Sequence, residues 1–435
     1  MRLFGRKTKT AVAQIALKNA SFIYGLGGAR WLERRFDLLA TEGYENNPIV
    51  YACVTKLAKS AASVDLQLYK KGKGGRLTKV DAHPILDLLT RPNAMQGGKK
   101  FIETLITQYL VGGNGYILAS ALDRKTGQPG ELWLLPPQEM SVNGTKRSMI
   151  PASYERRIGN EQNIIYPVNP ITGHSAVLHL KTVNLLNPML GLPPLVAAVY
   201  GVDVFNSGMA WNKALLDNSA SPSGALMVKA ADGKNAELSD DQYSRIKAQL
   251  DEKMSGARNA GKPLLLEGGL EWVSMSFNPK DMDHRENMLT MARFIAGVYG
   301  TPPQLVNIPG ESTYSNYSEA KLAYWSDTVL TLLGSILEDL GNWLTPLYGD
   351  DLFLWYDEEM LPALEPRRKE KGDRINAAGY MTINEKREAM GLEALPDGGD
   401  TVLVQSTLVP LELAGAMTLP EPGSPADNGG NDVAV

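Results

Sequence analysis

The sequence predicts an α+β protein built from several structural regions, on three observations. Helical apolar periodicity alternates with short strand-like runs through the first third of the chain. Two helical segments further on enclose a compact insert with strand and helix signals of its own. A stretch rich in Pro, Gly, Ser, Thr and Asn, residues 301–318, then separates the second of these helices from an unusually long third one. At 435 residues the length suggests two or three regions, and 43% hydrophobic content is ample for real cores.

Taken in order, Arg2, Arg6, Lys7 and Lys9 precede a short apolar run that Gln14 interrupts and Lys18 ends, so residues 1–45 read as a basic arm, mobile or docked on a partner, rather than a secretory signal. No run of eighteen apolar residues predicts a transmembrane helix. Asn47-Pro48 opens a helix over 49–63, with Ile49, Cys53, Leu57 and Ala61 at four-residue steps, and a strand follows at 65–69. Beyond a Gly/Lys hairpin come a helix at 83–89, ending at Arg91-Pro92-Asn93, and another at 100–111 that stops at Gly112 and Gly113. Strands are expected at 116–121, 131–135 and 177–180.

Pro193 and Pro194 then open a helix to about residue 219, with Leu195, Val199, Val202, Phe205 and Met209 inward. Gly201 and Gly208 share one of its faces. Each Gly costs about 0.5 to 1 kcal/mol against Ala in a helix interior, so the pair predicts close approach by another backbone or tight packing within one subunit. The insert has a strand at 224–229, a helix capped by Ser239 and Gln242 that carries Tyr243, Ile246, Leu250 and Met254, and strands at 263–266 and 271–275, the last including Trp272.

The next helix should start at Asn278 as N-cap, with Pro279 in its first turn, and end at Gly300 before Pro302-Pro303. Met288, Met291, Ala292, Ile295 and Tyr299 form its apolar stripe. Past the loop, Asn316 with Glu319 reads as the capping pair of a long helix whose face is Leu322, Trp325, Val329, Leu332, Leu333, Ile336, Leu340 and Trp343. Roughly 28 residues would make a rod on the order of 40 Å. A strand at 352–356, a charged helix at 365–376 and a short helix capped by Thr382 and Glu385 complete the ordered chain, with disorder expected from about 419.

Charge and composition narrow the chemistry. Forty-four basic residues against 48 acidic leave −4, so no overall positive field exists to hold nucleic acid by its phosphates. A single cysteine, Cys53, excludes a disulfide framework within the chain and reads as a buried small apolar residue. Residues Gly256 to Lys262 match seven positions of a phosphate-binding loop, but Pro263 stands where a Mg²⁺-binding hydroxyl belongs, and no strand precedes the motif. Gly112-Gly113-Asn114-Gly115 joins helix to strand, the reverse of a dinucleotide fingerprint, and reads as a tight turn. The four histidines lack acidic partners at metal-ligand spacing. Asp350-Asp351 and Glu358-Glu359 read as solvated charge. Arg367, Arg368 and Lys369, with acids interleaved nearby, read as a solvated helix face with nucleic-acid contact as the alternative. No nucleophile, base and oxyanion hole assemble, so a non-enzymatic role with no cofactor is expected.

Several motifs recur in a familiar order: Asn47-Pro48-Ile49-Val50-Tyr51-Ala52-Cys53-Val54, His83-Pro84-Ile85, Leu88-Leu89, Arg91-Pro92-Asn93, Gly113-Asn114-Gly115-Tyr116, Leu135-Pro136-Pro137, Gly191-Leu192-Pro193-Pro194-Leu195, Thr301-Pro302-Pro303, and Gly379 through Arg387. Together, over residues 46–400, they resemble the portal proteins of tailed bacteriophages and prophages.

That resemblance implies a ring, usually dodecameric, at one capsid vertex of the virion, assembled in the host cytoplasm, through which double-stranded DNA passes during packaging and ejection. It maps 46–191 to a wing, 192–221 and 279–300 to two stem helices packed through Gly201, Gly208, Met288, Met291 and Ile295, and 222–278 to a clip. The clip, with Tyr243, Ile246, Leu250 and Trp272, would face the terminase large subunit and head-tail adaptor proteins. Major capsid and scaffold proteins are the other implied partners. Residues 301–318 would be the channel loop, offering Gln304, Asn307, Ser312, Thr313, Tyr314 and Asn316, with Glu311 to repel phosphate. Residues 319–364 would be the long helix and a return to the wing, 365–400 the crown, and 401–435 a C-terminal segment. A different ring-forming connector or scaffold protein, and a nucleotide-driven DNA motor using Gly256 to Lys262, are the competing readings.

Overall fold

A computed structural model describes residues 35–402, apart from 73–76, 145–149, 160–162, 311–313, 350 and most of 218–283, where 224–228, 239, 241–242, 244–246, 248 and 270–274 are described.

The end of the expected basic arm belongs to the core. A helical turn, α1 (Phe36–Leu38), runs into a π-helical stretch, Leu39–Glu45, and Leu39 is fully buried. Phe36 lies against Gly112, and Gly43 against Leu195, each so close that an added Cβ would come within 2.5 Å of the neighbour. The boundary at 45 is thereby corrected to the region before residue 35, and residues 1–34 lie outside the described structure.

Asn47 then starts α2 (Pro48–Ser63), its Oδ1 accepting from the backbone N–H groups of Ile49 and Val50. The amide is itself fully buried: its Nδ2 donates to Asn206 Oδ1 at 2.8 Å, and Asn206 Nδ2 donates to the carbonyl of Glu42 at 3.0 Å. His83 caps α3 (Pro84–Thr90) through Nδ1, and α4 (Gly98–Gly112) ends on Gly113 in the left-handed region, φ +69°. α2 lies along α4 and also touches the second stem helix and the long helix, so it is the spine of one large apolar core.

Three small antiparallel sheets flank this spine. In the first, β1 (Leu66–Lys71) lies between β2 (Leu77–Val80) and β11 (Leu352–Tyr356), with Leu68 opposite Leu354, so residues 352–356 return to pair with a strand near the start of the described chain. The second orders β4 (Glu131–Leu135), β3 (Asn114–Ser120) and β8 (Val177–Lys181). The third, β5 (Met140–Asn143), β6 (Ser153–Arg156) and β7 (Ile164–Pro167), was not expected, because its strands are only four residues each and bury chiefly Tyr154. A second, small core of Tyr116, Leu135, Tyr154, Val168 and Val177 joins the last two sheets. His179 is half-buried there, stacked on Tyr116 at 4.4 Å with its Nε2 bonded to Asn114 Oδ1 at 2.9 Å.

The long helix is a composite of α7 (Tyr314–Ala323), a π-helical stretch Tyr324–Val329, and α8 (Leu330–Leu344). It begins before the expected Asn316 cap, so Asn316 sits exposed in the first turn, and Glu319 is bonded by Ser315 instead. The π turn shifts the buried face: Tyr324 is buried, while Leu322, Trp325 and Leu332 are half-buried. Val329, Leu333, Ile336, Leu340 and Trp343 are buried as expected, and Trp343 Nε1 donates to the carbonyl of Ser175 at 2.9 Å. At the end come α9 (Glu365–Ala377) and α10 (Ile383–Ala389). The latter has the expected capping box, in which Thr382 Oγ1 accepts from Glu385 N and Glu385 Oε2 accepts from Thr382 N.

Two predictions follow from buried polar groups. Asn47→Ala strips two helix N–H groups of their cap and leaves Asn206 Oδ1 without its donor, so it is expected to lower unfolding stability by about 2 to 4 kcal/mol in urea titrations; a loss under about 0.5 kcal/mol would show that the amide holds nothing. Burial, with the Lys181 ammonium adding to it, pushes the His179 imidazole down from 6.5 to about 3. In that window the unfolded chain binds more protons than the folded one, so this contribution is intact above about pH 6.5 and is lost as pH falls towards 3. His179→Gln keeps the donor to Asn114 and is expected to flatten the fall by up to about 1.4 kcal/mol per pH unit, read from urea midpoints; an unaltered pH slope would clear His179 of the effect.

Candidate functional site

Two helices, α5 (Pro194–Asp217) and α6 (His284–Val298), pack as an antiparallel pair: Gly201 faces Phe294 and Ile295, while Asn212 lies beside Met288 at 3.6 Å. An added Cβ on Gly201 would sit 2.8 Å from Phe294 Cδ1 and 3.3 Å from Ile295 Cγ1. The close approach expected of this glycine is therefore to a partner helix in the same subunit. Gly208, two turns on, is also buried. Ala292, Ile295, Ala296 and Tyr299 are buried on α6, with Met288 and Met291 half-buried. Met209 points outward, 48% exposed, against its inward assignment: α5 has by then run past Phe205, the last apolar residue of its stripe to be buried. The expected start at Asn278-Pro279 lies outside the described residues.

At its far end α6 is pinned. Gly300 takes the left-handed conformation, φ +59°, Thr301 N donates to the carbonyl of Ala296, and Thr328 Oγ1 from the π-helical stretch donates to the Gly300 carbonyl at 2.9 Å. An added Cβ on Gly300 would meet that hydroxyl at 2.9 Å, so Gly is required here on both counts. The chain continues through a 3₁₀ turn, Pro303–Val306, to Asn307 at φ +58°. Leu305 and Ile308 are buried in the main core, and Arg293 Nη2 donates to the carbonyl of Pro309 at 2.8 Å.

Much of the expected open loop is thus braced. Gln304 is half-buried, with its side-chain carbonyl enclosed and without a partner among the described residues, whereas Asn307 is exposed. Tyr314 and Asn316 are helical. What joins the braced part to α7 is Gly310 and residues 311–313, and Glu311, Ser312 and Thr313 lie outside the described structure. Under the loop, Tyr299, Tyr324 and Thr301 gather around Cys53, whose thiol burial pushes up to about 12. The Tyr299 hydroxyl is buried without a hydrogen-bond partner among the described residues, whereas that of Tyr324 is turned towards Ser60.

Of the insert, β9 (Gly224–Val228) pairs with β10 (Leu270–Ser274), placing Trp272 opposite Leu226, and Ser239 and Gln242 make the expected reciprocal cap. Ile246 is half-buried; Tyr243, Leu250 and the whole of 256–263 lie outside the described residues. In α9, Arg367 and Lys369 are exposed. Arg368 is not part of a solvated face: it donates to the carbonyls of Glu358 and Glu359 and so ties α9 to the turn before it. Glu358 and Glu359 belong to a 3₁₀ turn rather than a strand, and Asp351 pairs with Lys70 at 3.0 Å. Gly113 closes a structural turn, as read from the sequence. Among the described residues no His, Cys, Asp and Glu cluster could hold a metal.

Comparison with known proteins agrees with this architecture. The Phage portal protein family matches residues 48–391. An uncharacterised protein of Rickettsia bellii is 40% identical over 82% of this chain and 89% of its own length, and a probable portal protein of Streptomyces phage phiC31 is 24% identical over 86% and 79%. Among solved structures, a chain in the neck of an empty gene transfer agent particle, computed with C6 symmetry, is 38% identical, with a TM-score of 0.64 over 84% of this chain and 96% of that one. Another, in the neck of the native particle with C12 symmetry, is 37% identical with a TM-score of 0.62 over 84% and 96%. A portal protein of the HK97 family from Corynebacterium diphtheriae shares the fold at 13% identity, with a TM-score of 0.52 over 77% and 99%. This chain belongs to the phage portal protein family.

Proposed function

We propose that this protein assembles as a ring, a dodecamer, at one capsid vertex, and serves as the conduit for double-stranded DNA during packaging and ejection. The observation that carries this reading is its likeness, at 37–38% identity over most of both chains, to subunits of gene transfer agent necks solved with C6 and C12 symmetry. The fold suits the task. A stiff two-helix stem leaves the wing beside α2, carries the small β9/β10 insert at one end, and is pinned at the other to the long helix.

In this reading the insert is the clip, docking the terminase large subunit during packaging and head-tail adaptors afterwards, while the wing meets major capsid and scaffold proteins. Residues 310–313 form the reach of the channel loop, so the tunnel contact is shorter than 301–318. Twelve copies of a −4 chain make a conduit that does not trap phosphates, and Glu311 adds local repulsion. Of Arg367, Arg368 and Lys369, the exposed Arg367 and Lys369 remain to meet passing DNA.

Negative-stain microscopy with light scattering at near-physiological salt is expected to show rings of dodecameric mass; closed particles of low order would count against the reading. Glu311→Lys is expected to leave rings intact but make them retain DNA in gel shifts at about 50 mM salt and release it by about 200 mM, whereas wild-type rings retain none in either. Gly201→Leu forces Phe294 and Ile295 aside and is expected to cost about 1 to 3 kcal/mol in urea unfolding, with Gly201→Ala nearer neutral because only the Phe294 ring edge must shift. Equal costs for the two would mean that the stem helices do not meet at Gly201.

A further inference from the structure

The connection from β8 to α5 carries an apolar knob. Thr182 N donates to the Gly113 carbonyl at 3.0 Å and Gly191 N donates to Asn114 Oδ1 at 2.8 Å, so both feet of residues 182–192 stand at the C-terminal end of α4. Between them is a built turn, in which Asn184 Oδ1 accepts from Leu186 N and Asn187 N, and Asn187 Oδ1 accepts from Met189 N, all at 3.1 Å. It holds Val183, Leu185 and Leu186 in solvent, 82%, 93% and 94% exposed. From Val183 to Leu192 there is no ionisable side chain. An uncharged apolar knob on an ordered turn marks a contact.

What lies against both feet is the start of the described chain. Phe36 packs on Gly112, next to the residue whose carbonyl holds Thr182, and Gly43 packs on Leu195, just past the other foot. Residues 36–43 therefore already run from one foot to the other, and the chain before them departs at the Gly112 foot. Trp31 and Leu32 are five and four residues before Phe36, a reach of up to about 13 to 18 Å, whereas Leu185 and Leu186, three and four residues past Thr182, stand at most about 10 to 14 Å from theirs. The arm of the same chain thus spans the whole knob without leaving its own subunit.

Its chemistry matches as well. Residues 22–32 run Phe-Ile-Tyr-Gly-Leu-Gly-Gly-Ala-Arg-Trp-Leu, with Arg30 as their one charge, and no acid occurs before Glu33. The ground beside the knob is acidic: partial burial and the neighbouring Glu338 carboxylate hold the Asp339 carboxyl above its usual range, and Lys181, whose ammonium donates to the Pro188 carbonyl inside the loop, opposes this only in part. Tyr109, one turn before Gly113 in α4, feels the same carboxylate. A cation arriving with apolar company suits this spot.

We infer that residues 22–34 fold back over residues 182–192 of the same chain, with Trp31 and Leu32 on Val183, Leu185 and Leu186 and with Arg30 towards Glu338 and Asp339. The arm then straps the junction of β8 and α5, in a free chain and in an assembled one alike.

Two readouts on the full-length chain test this. Trypsin is expected to cut wild-type protein after Arg30 at least tenfold more slowly than after Lys9; in the Leu185→Asp, Leu186→Asp variant the two rates become equal, with the thermal melt unchanged because both leucines lie in solvent. Equal rates in the wild type, or protection that survives the aspartates, would overturn the docking site. A short bis-maleimide shows which copy is covered, since Cys53 is fully buried and silent towards it. Leu32→Cys with Leu186→Cys is expected to give a bridged monomer on denaturing gels, confirmed by peptide mass, and Leu32→Cys with Met95→Cys no bridge, because Met95 lies beyond the other end of α4, about 21 Å along the helix. A ladder of covalent multimers from the first pair would overturn the contact within one chain in favour of one between copies, and the absence of any bridge would overturn it outright.

Discussion

The buried amide of Asn47 is the contact on which the rest of the architecture depends. One side chain caps α2, the spine of the core, and donates to Asn206 in the first stem helix, which in turn donates to the carbonyl of Glu42. Two segments far apart in sequence, residues 42–50 and the middle of α5, therefore share one polar node in an apolar surrounding. Such nodes are costly when incomplete, because a stranded buried donor or acceptor loses its water and gains nothing. Orientation follows from this: α5 cannot rotate against α2 without breaking these bonds.

A second fixed point is the crossing of two backbones. An added Cβ on Gly191 would lie 1.8 Å from the carbonyl oxygen of Gly113, and one on Gly113 would come within 2.6 Å of Pro193 N. Gly113-Asn114-Gly115 and Gly191-Leu192-Pro193-Pro194 are separate motifs in the sequence and a single clamp in space. Asn114 accepts from Gly191 N and from His179, so the end of α4, the start of α5 and the central sheet strand meet at one residue. The clamp fixes where the stem leaves the wing, and the Asn47 node fixes the direction in which it goes.

Most of this was legible because the signals were local. Asn47-Pro48, Gly113, Gly300 and the Thr382/Glu385 box each mark an element end by hydrogen bonding within a few residues, and the structure places those ends there. Strands with long apolar runs, such as Leu352–Tyr356, were equally plain. What escaped depends on distant partners. Phe36, Leu39 and Gly43 became core only because Gly112 and Leu195 are waiting for them, and no pattern in a basic arm announces that. The strands of the β5–β7 sheet, four residues each, are too short to show periodicity. Loop composition around Thr301 concealed the fact that Leu305 and Ile308 are buried, and the Asn316–Glu319 pair imitated a cap inside a helix that had already begun. The π-helical stretch Tyr324–Val329 moved Tyr324 inward where a regular helix would have placed Trp325.

The two ends of the stem are built to different standards of packing. At the wing, Asn47 and Asn206 are satisfied, and each glycine contact is tight. Where α6 meets the long helix, the hydroxyl of Tyr299 and the side-chain carbonyl of Gln304 are enclosed without partners among the described residues, and the adjacent helix is π-helical. Each such group forgoes about 1 to 3 kcal/mol, and a π turn replaces regular i to i−4 bonds with a looser pattern. The folded state therefore has less to lose at this joint than at the Asn47 node, and any rearrangement that partners even one of those groups recovers part of its cost.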